Sequence, residues 1–118
     1  MSTGDQAHQR RFFRASVDFP ATVIVPGGEL VLIGRAIDLS GGGMRVATAS
    51  ELPPGQAVVL RFHLPEHERE LLIRARVVLS FFDASRREYA HGLVFTQYAQ
   101  PDQDEIIAYI HELQKLQS

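Results

Sequence analysis

The 118-residue sequence has no cysteine, which excludes a disulfide framework and thiol catalysis and suits a reducing cytosol. Long apolar runs are missing too. Stretches such as Leu30-Val31-Leu32-Ile33 fall far short of the ~20 apolar residues that cross a bilayer. Met1 to Gln9 lacks the charged-then-apolar order of a signal peptide. No G-x-S-x-G, P-loop or H-E-x-x-H pattern occurs, so no enzyme chemistry has a motif to rest on. Lysine is confined to Lys115, leaving arginine to carry nearly all the positive charge. These absences together predict a cytoplasmic, non-enzymatic protein without membrane insertion.

The formal net charge of −2 gives no overall bias toward polyanions. Its distribution is uneven. Arg10, Arg11 and Arg14 fall within five positions, whereas most acidic residues lie from Glu66 onward. A basic tip on a slightly acidic body favours a small, discrete anion over a nucleic-acid track.

The chain reads as a flexible N-terminal arm, residues 1–9, followed by a single domain over 10–118. Alternating apolar residues from Val17 to Val25 predict a strand, with Pro20 arguing for an edge or a strand start. Pro26-Gly27-Gly28 is a turn, and Glu29 to Asp38 completes a hairpin in which Gly34 marks a bulge. Further strands follow over 44–48, 57–64, 71–82 and 89–95, separated by Gly/Pro or polar turns. Short strands without intervening helices predict an antiparallel barrel or sandwich.

The period changes at the C-terminus. Asp102 followed by Glu105 has the capping-box spacing, and Ile106, Ile107, Tyr109, Ile110, Leu113 and Leu116 recur at helical intervals. This predicts an amphipathic helix over about 102–117, lying across an open end or edge of the barrel.

Two short polar segments carry the candidate chemistry. Arg10 and Arg14 form R-x-x-x-R, and their guanidinium groups can grip phosphate, bond a guanine edge or stack on a flat base. Asp38-Leu39-Ser40-Gly41-Gly42-Gly43 offers a carboxylate acceptor for guanine N–H donors, a rotatable hydroxyl and an open backbone. Leu39 points to the core, because neighbours on a strand alternate faces. The bland alternatives are a solvated arginine tail, and a local Asx/Ser turn with glycines supplying positive φ.

The two segments in this order on this strand pattern closely resemble the PilZ domain of bacterial cyclic di-GMP receptors. The similarity spans roughly Arg10 to His111 and includes the Leu52-Pro53-Pro54-Gly55 turn and the late His91-Gly92-Leu93-Val94-Phe95. The resemblance implies an all-β fold, a six-stranded antiparallel barrel with a C-terminal helix. It also implies a cyclic di-GMP site formed by Arg10, Arg14, Asp38, Ser40 and Gly43, with Arg11 as an auxiliary contact. Phe81 falls where relatives often place an aromatic near the ligand, although its own pattern reads as core. Gln9 stands where several relatives carry another arginine, a position the family associates with binding one nucleotide or a stacked pair. The output implied is signalling to an effector protein in trans, in motility, exopolysaccharide or transcriptional control. The alternative is an adaptor of the same fold that binds no nucleotide.

The histidines predict no metal site, since Pro65 breaks the helical spacing of His63 and His67. Both read as turn or surface residues, and His91 as a hydrogen-bonded structural residue.

Overall fold

A computed structural model describes residues 14–28 and 30–117. The strands are β1 (Ala15–Ile24), β2 (Val31–Ser40), β3 (Gly43–Thr48), β4 (Ala57–Phe62), β5 (Leu71–Asp83) and β6 (Glu88–Gln97), followed by helix α1 (Gln100–Gln117). The strands are all antiparallel and close in the order β1-β2-β3-β6-β5-β4. This is the six-stranded barrel with a C-terminal helix that the sequence suggests. Among the described residues no helix is long and apolar enough to cross a membrane.

Closure rests on three register pairs between β1 and β4, from Thr22↔Arg61 to Ile24↔Val59. Pro20 pairs with Arg35 of β2 and lies before the stretch of β1 that β4 reaches. Its missing N–H therefore interrupts no ladder on that side. Inside, alternate positions such as Phe19, Val23, Leu60, Ile73 and Leu93 build one core. Ile106 and Ile110 enter the same cluster from α1, so the helix contributes to the barrel's interior packing.

The helix begins differently from its sequence signal. Ala99 provides the first carbonyl, accepting from the amides of Asp102 and Gln103. Asp102 thus lies inside the first turn, where its carboxylate binds Arg69 at 2.8 Å rather than capping the helix. Glu105 is also held from outside, by Arg69 at 2.5 Å and His67 at 2.7 Å. The capping-box residues are present, but tertiary charges claim both carboxylates. Leu116, counted above on the apolar face, is 81% exposed.

Gly34 is no bulge. It is in register with Ala21, while the irregularity in the β2–β3 pairing falls between Ala36 and Asp38. A Cβ on Gly34 would lie 2.7 Å from Val46 Cγ1, so strand packing explains the glycine.

His91 is fully buried between Thr48 Oγ1 and Ser80 Oγ, each 2.9 Å from a ring nitrogen. Those hydroxyls also lie 2.6 and 2.5 Å from the carbonyls of Ser50 and Leu52. The expected structural role is met: His91 fastens the β3–β4 connection to the barrel wall. Burial pushes its imidazole below the ordinary range, against the opposing pull of the Ser50 carbonyl and Glu51.

Candidate functional site

The β2–β3 hairpin brings the second polar segment into one tight structure. Ser40 pairs with Gly43 across a two-residue turn. The Gly42 amide donates to Ser40 Oγ at 3.2 Å, and the hydroxyl donates to the Gly43 carbonyl at 3.4 Å. Ser40 therefore serves its own loop first. The glycines do not supply positive φ here; among the described residues the positive-φ glycines are Gly27 and Gly55. Gly43 is required by its neighbour on the adjacent strand β6, because a Cβ there would lie 2.4 Å from the Leu93 carbonyl oxygen.

Asp38 stands just before this turn. Its Oδ2 accepts from Arg14 Nη1 at 3.2 Å, with the Arg14 side chain 64% exposed and that of Asp38 17% exposed. The other oxygen, Oδ1, is buried without a hydrogen-bond partner among the described residues. An unpaired buried acceptor costs about 1–3 kcal/mol, so this oxygen calls for a partner that the described residues do not supply.

Arg14, Asp38, Ser40 and Gly43 line one cleft of about 260 Å³. The cleft joins residues far apart in sequence that the four predicted positions alone do not reveal. Its opposite wall comes from a β-bulge: Val77 pairs with Leu93 and Leu79 with Gly92, leaving Val78 as the extra residue. The bulge re-aims the strand, so that Val78 and Leu79 are exposed together beside Val94. Gly92 forms part of the floor. A Cβ there would meet Leu79 Cβ at 3.5 Å, ordinary contact distance, so the fold leaves that space open without needing it.

Arg45 also lines the cleft and was not singled out by sequence. It is directly paired with Asp38 on one side and Gly92 on the other. Only its place two residues beyond Gly43 in the third strand, sharing a face with Asp38, could have found it. Val78, Leu79 and Val94 carry no sequence signal beyond apolarity.

Arg10 and Arg11 lie outside the described residues. Phe81 is on β5 but 45% exposed, which overturns its assignment to the core. The β5 bulge shifts the alternation by one residue, so Ser80 turns inward to His91 and Phe81 outward. It is not among the residues lining the cleft. Among the described residues, no group of three or more His, Cys, Asp or Glu side chains is placed to hold a metal ion. The cleft can hold a flat, partly apolar ligand with an anionic rim: Arg14 and Arg45 offer hydrogen-bond donors, Asp38 an acceptor, and the bulge an apolar face.

The family model for the PilZ domain matches residues 8–112. No curated protein matches the sequence. Solved structures share the fold, among them the three that follow. The Bacillus subtilis inhibitor of motility MotI/DgrA superimposes with a TM-score of 0.78 at 22% identity, covering 87% of this chain and 50% of its own. This chain thus spans half the length of that relative. The PilZ domain of Escherichia coli YcgR with c-di-GMP gives a TM-score of 0.66 at 18% identity, covering 91% of this chain and 92% of its own. K. pneumonia MrkH in its c-di-GMP complex gives 0.70 at 20% identity, covering 88% and 52%.

Proposed function

Because the chain belongs to the PilZ domain family, we propose that it is a cyclic di-GMP receptor whose ligand occupies the cleft beside Asp38. The observation that carries this reading is the buried Asp38 Oδ1, without a hydrogen-bond partner among the described residues, at a cleft that also presents Arg14 and Arg45. Guanine offers N–H donors to that oxygen, and the phosphates offer partners to Arg14. Arg10 and Arg11 complete the site from the N-terminal side. Ser40 and Gly43 keep the turn closed so that Asp38 stays in place.

The Arg14–Asp38 pair is the gate. An exposed pair of this kind contributes ~0–1 kcal/mol, so a ligand can take over both partners at small cost. A micromolar Kd corresponds to about −8 kcal/mol, which asks for several charge-assisted bonds together with stacking. Closure of the N-terminal arm, residues 1–9 with the arginine motif, over the bound nucleotide then alters the surface that a cytoplasmic effector protein meets in trans. The chemistry needed is binding alone.

Calorimetric titration with cyclic di-GMP, cyclic di-AMP and a short single-stranded RNA tests this directly. Saturable heat with cyclic di-GMP alone, lost in Asp38→Ala, is the expected result. Binding that survives Asp38→Ala refutes the site, and no cyclic di-GMP binding by the unaltered protein refutes the receptor.

A further inference from the structure

Resting on the proposed receptor reading, we infer that Arg45 is the guanine-selecting residue of this cleft: it donates to the O6/N7 edge of the base whose N–H donors Asp38 accepts. Three observations lead there. Asp38 and Arg45 are a direct register pair on β2 and β3, so their side chains leave the same face of the sheet and line the same cleft. Opposite charges so placed would ordinarily neutralise one another. Here they do not: Arg45 makes no side-chain hydrogen bond or ion pair among the described residues, and Asp38 is bonded to Arg14 instead. Asp38 Oδ1 and the half-buried Arg45 guanidinium are thus an acceptor and a donor set left open side by side.

That pattern has a chemical complement. Along one side of guanine run the N2 and N1 donors followed by the O6 and N7 acceptors, and a guanidinium bonds the latter two in bidentate fashion. A carboxylate next to a guanidinium reads that sequence of groups in order. Adenine presents an acceptor at N1 and a donor at N6, which would oppose both protein groups. Val78, Leu79 and Val94 give the base an apolar face to lie against, and Gly92, in register with Arg45, leaves the floor flat. Arg14 remains with the anionic part of the ligand at the exposed rim.

The test pairs Arg45→Met, which keeps the apolar stem, with a cyclic di-GMP analogue carrying 7-deazaguanine in place of guanine. Arg45 holds no side-chain partner among the described residues, so Arg45→Met keeps the melting temperature of the free protein. Its affinity for cyclic di-GMP falls about ten- to one-hundredfold, and its preference over cyclic di-AMP falls with it. The 7-deaza analogue binds the unaltered protein several-fold more weakly than cyclic di-GMP, but Arg45→Met treats the two alike. An inosine analogue, lacking only N2, keeps its full penalty in Arg45→Met because Asp38 still reads that group. Unchanged affinity in Arg45→Met, or a 7-deaza penalty that persists there, overturns the assignment while leaving the receptor reading standing. Failure of the unaltered protein to bind cyclic di-GMP overturns both.

Discussion

Two of the barrel's groupings of arginine with carboxylate are built on opposite terms. Beside α1, Arg69 bonds Asp102 and Glu105 together, and His67 adds a second donor to Glu105. Each carboxylate there has a partner, and the product is mechanical: the β4–β5 connection is fastened to the first turns of the helix. At the cleft, among the described residues, Asp38 has one oxygen on the exposed Arg14 and the other without a hydrogen-bond partner, while Arg45 beside it makes no side-chain hydrogen bond or ion pair. The same residue types hold the fold together in one place and wait for a ligand in the other. Charge density does not separate the two cases; completeness of pairing does.

The sharpest attempt to break that contrast is Asp38→Ala. If the cleft carboxylate exists for a ligand, its removal takes cyclic di-GMP binding below detection. The melting temperature of the free protein holds or rises, since only an exposed ion pair and an unsatisfied acceptor are lost. A drop of several degrees in the free protein would instead place Asp38 with the structural grouping.

Two glycines of the cleft extend the comparison to the backbone. Gly43→Ala drives a Cβ into the Leu93 carbonyl across the β3–β6 pairing, and overpacking of this kind costs about 1–3 kcal/mol. Chemical denaturation should show that loss. Gly92→Ala meets only ordinary contacts, so it leaves stability within ~0.5 kcal/mol and weakens ligand binding by intruding on the floor. Equal effects of the two on stability would erase the division between scaffold and open floor.

Arg69→Met probes the other grouping. It strips both carboxylates of their shared cation, so amides in the first turns of α1 should exchange faster with solvent. Cyclic di-GMP affinity should stay within about twofold. The first turn of α1 also touches the β2–β3 turn next to the cleft, where Gln103 Nε2 donates to the Gly41 carbonyl at 3.1 Å. A large change in affinity for Arg69→Met would therefore mean that the latch acts on the cleft through Gln103.

What the sequence made legible follows from how local each signal is. Strands showed themselves through alternation and Gly/Pro punctuation, and the R-x-x-x-R and D-x-S-x-x-G segments lie within spans of five or six residues. Barrel closure between β1 and β4, the bulge at Val78 and the contact of Arg69 with Asp102 depend on residues distant in the chain. For that reason a sound capping-box pattern at Asp102 and Glu105 gave the wrong partners. Phe81 was misplaced for the same cause, since one extra residue in β5 reverses every later side chain. Arg45 stayed hidden because nothing in the linear order says that it lies beside Asp38 without binding it.

The smallest expected effect, and the one that dissects the structural charges, is the response to acid. His91 is held neutral, its imidazole pushed down mainly by burial. The unfolded chain takes up a proton near pH 6.5 that the fold refuses, so stability falls as the pH drops below that value, by at most ~1.4 kcal/mol per unit. Glu105 behaves as the paired carboxylate should. Burial alone would raise its carboxyl, but the bonds from His67 and Arg69 outweigh this and hold it below the usual range. Its contribution is intact above the unfolded value of about 4.3 and is lost as the pH falls through the lower folded one. Denaturation midpoints followed from pH 8 to 3 should therefore decline in two stages. Glu105→Gln should shrink the lower stage, leaving the share of Asp83, whose carboxyl is also held down by its bonds from Ser85, and should leave the upper stage intact. A lower stage of undiminished size in that variant would mean that other carboxylates carry the acid sensitivity, and that the completeness of pairing beside α1 contributes little to holding the helix.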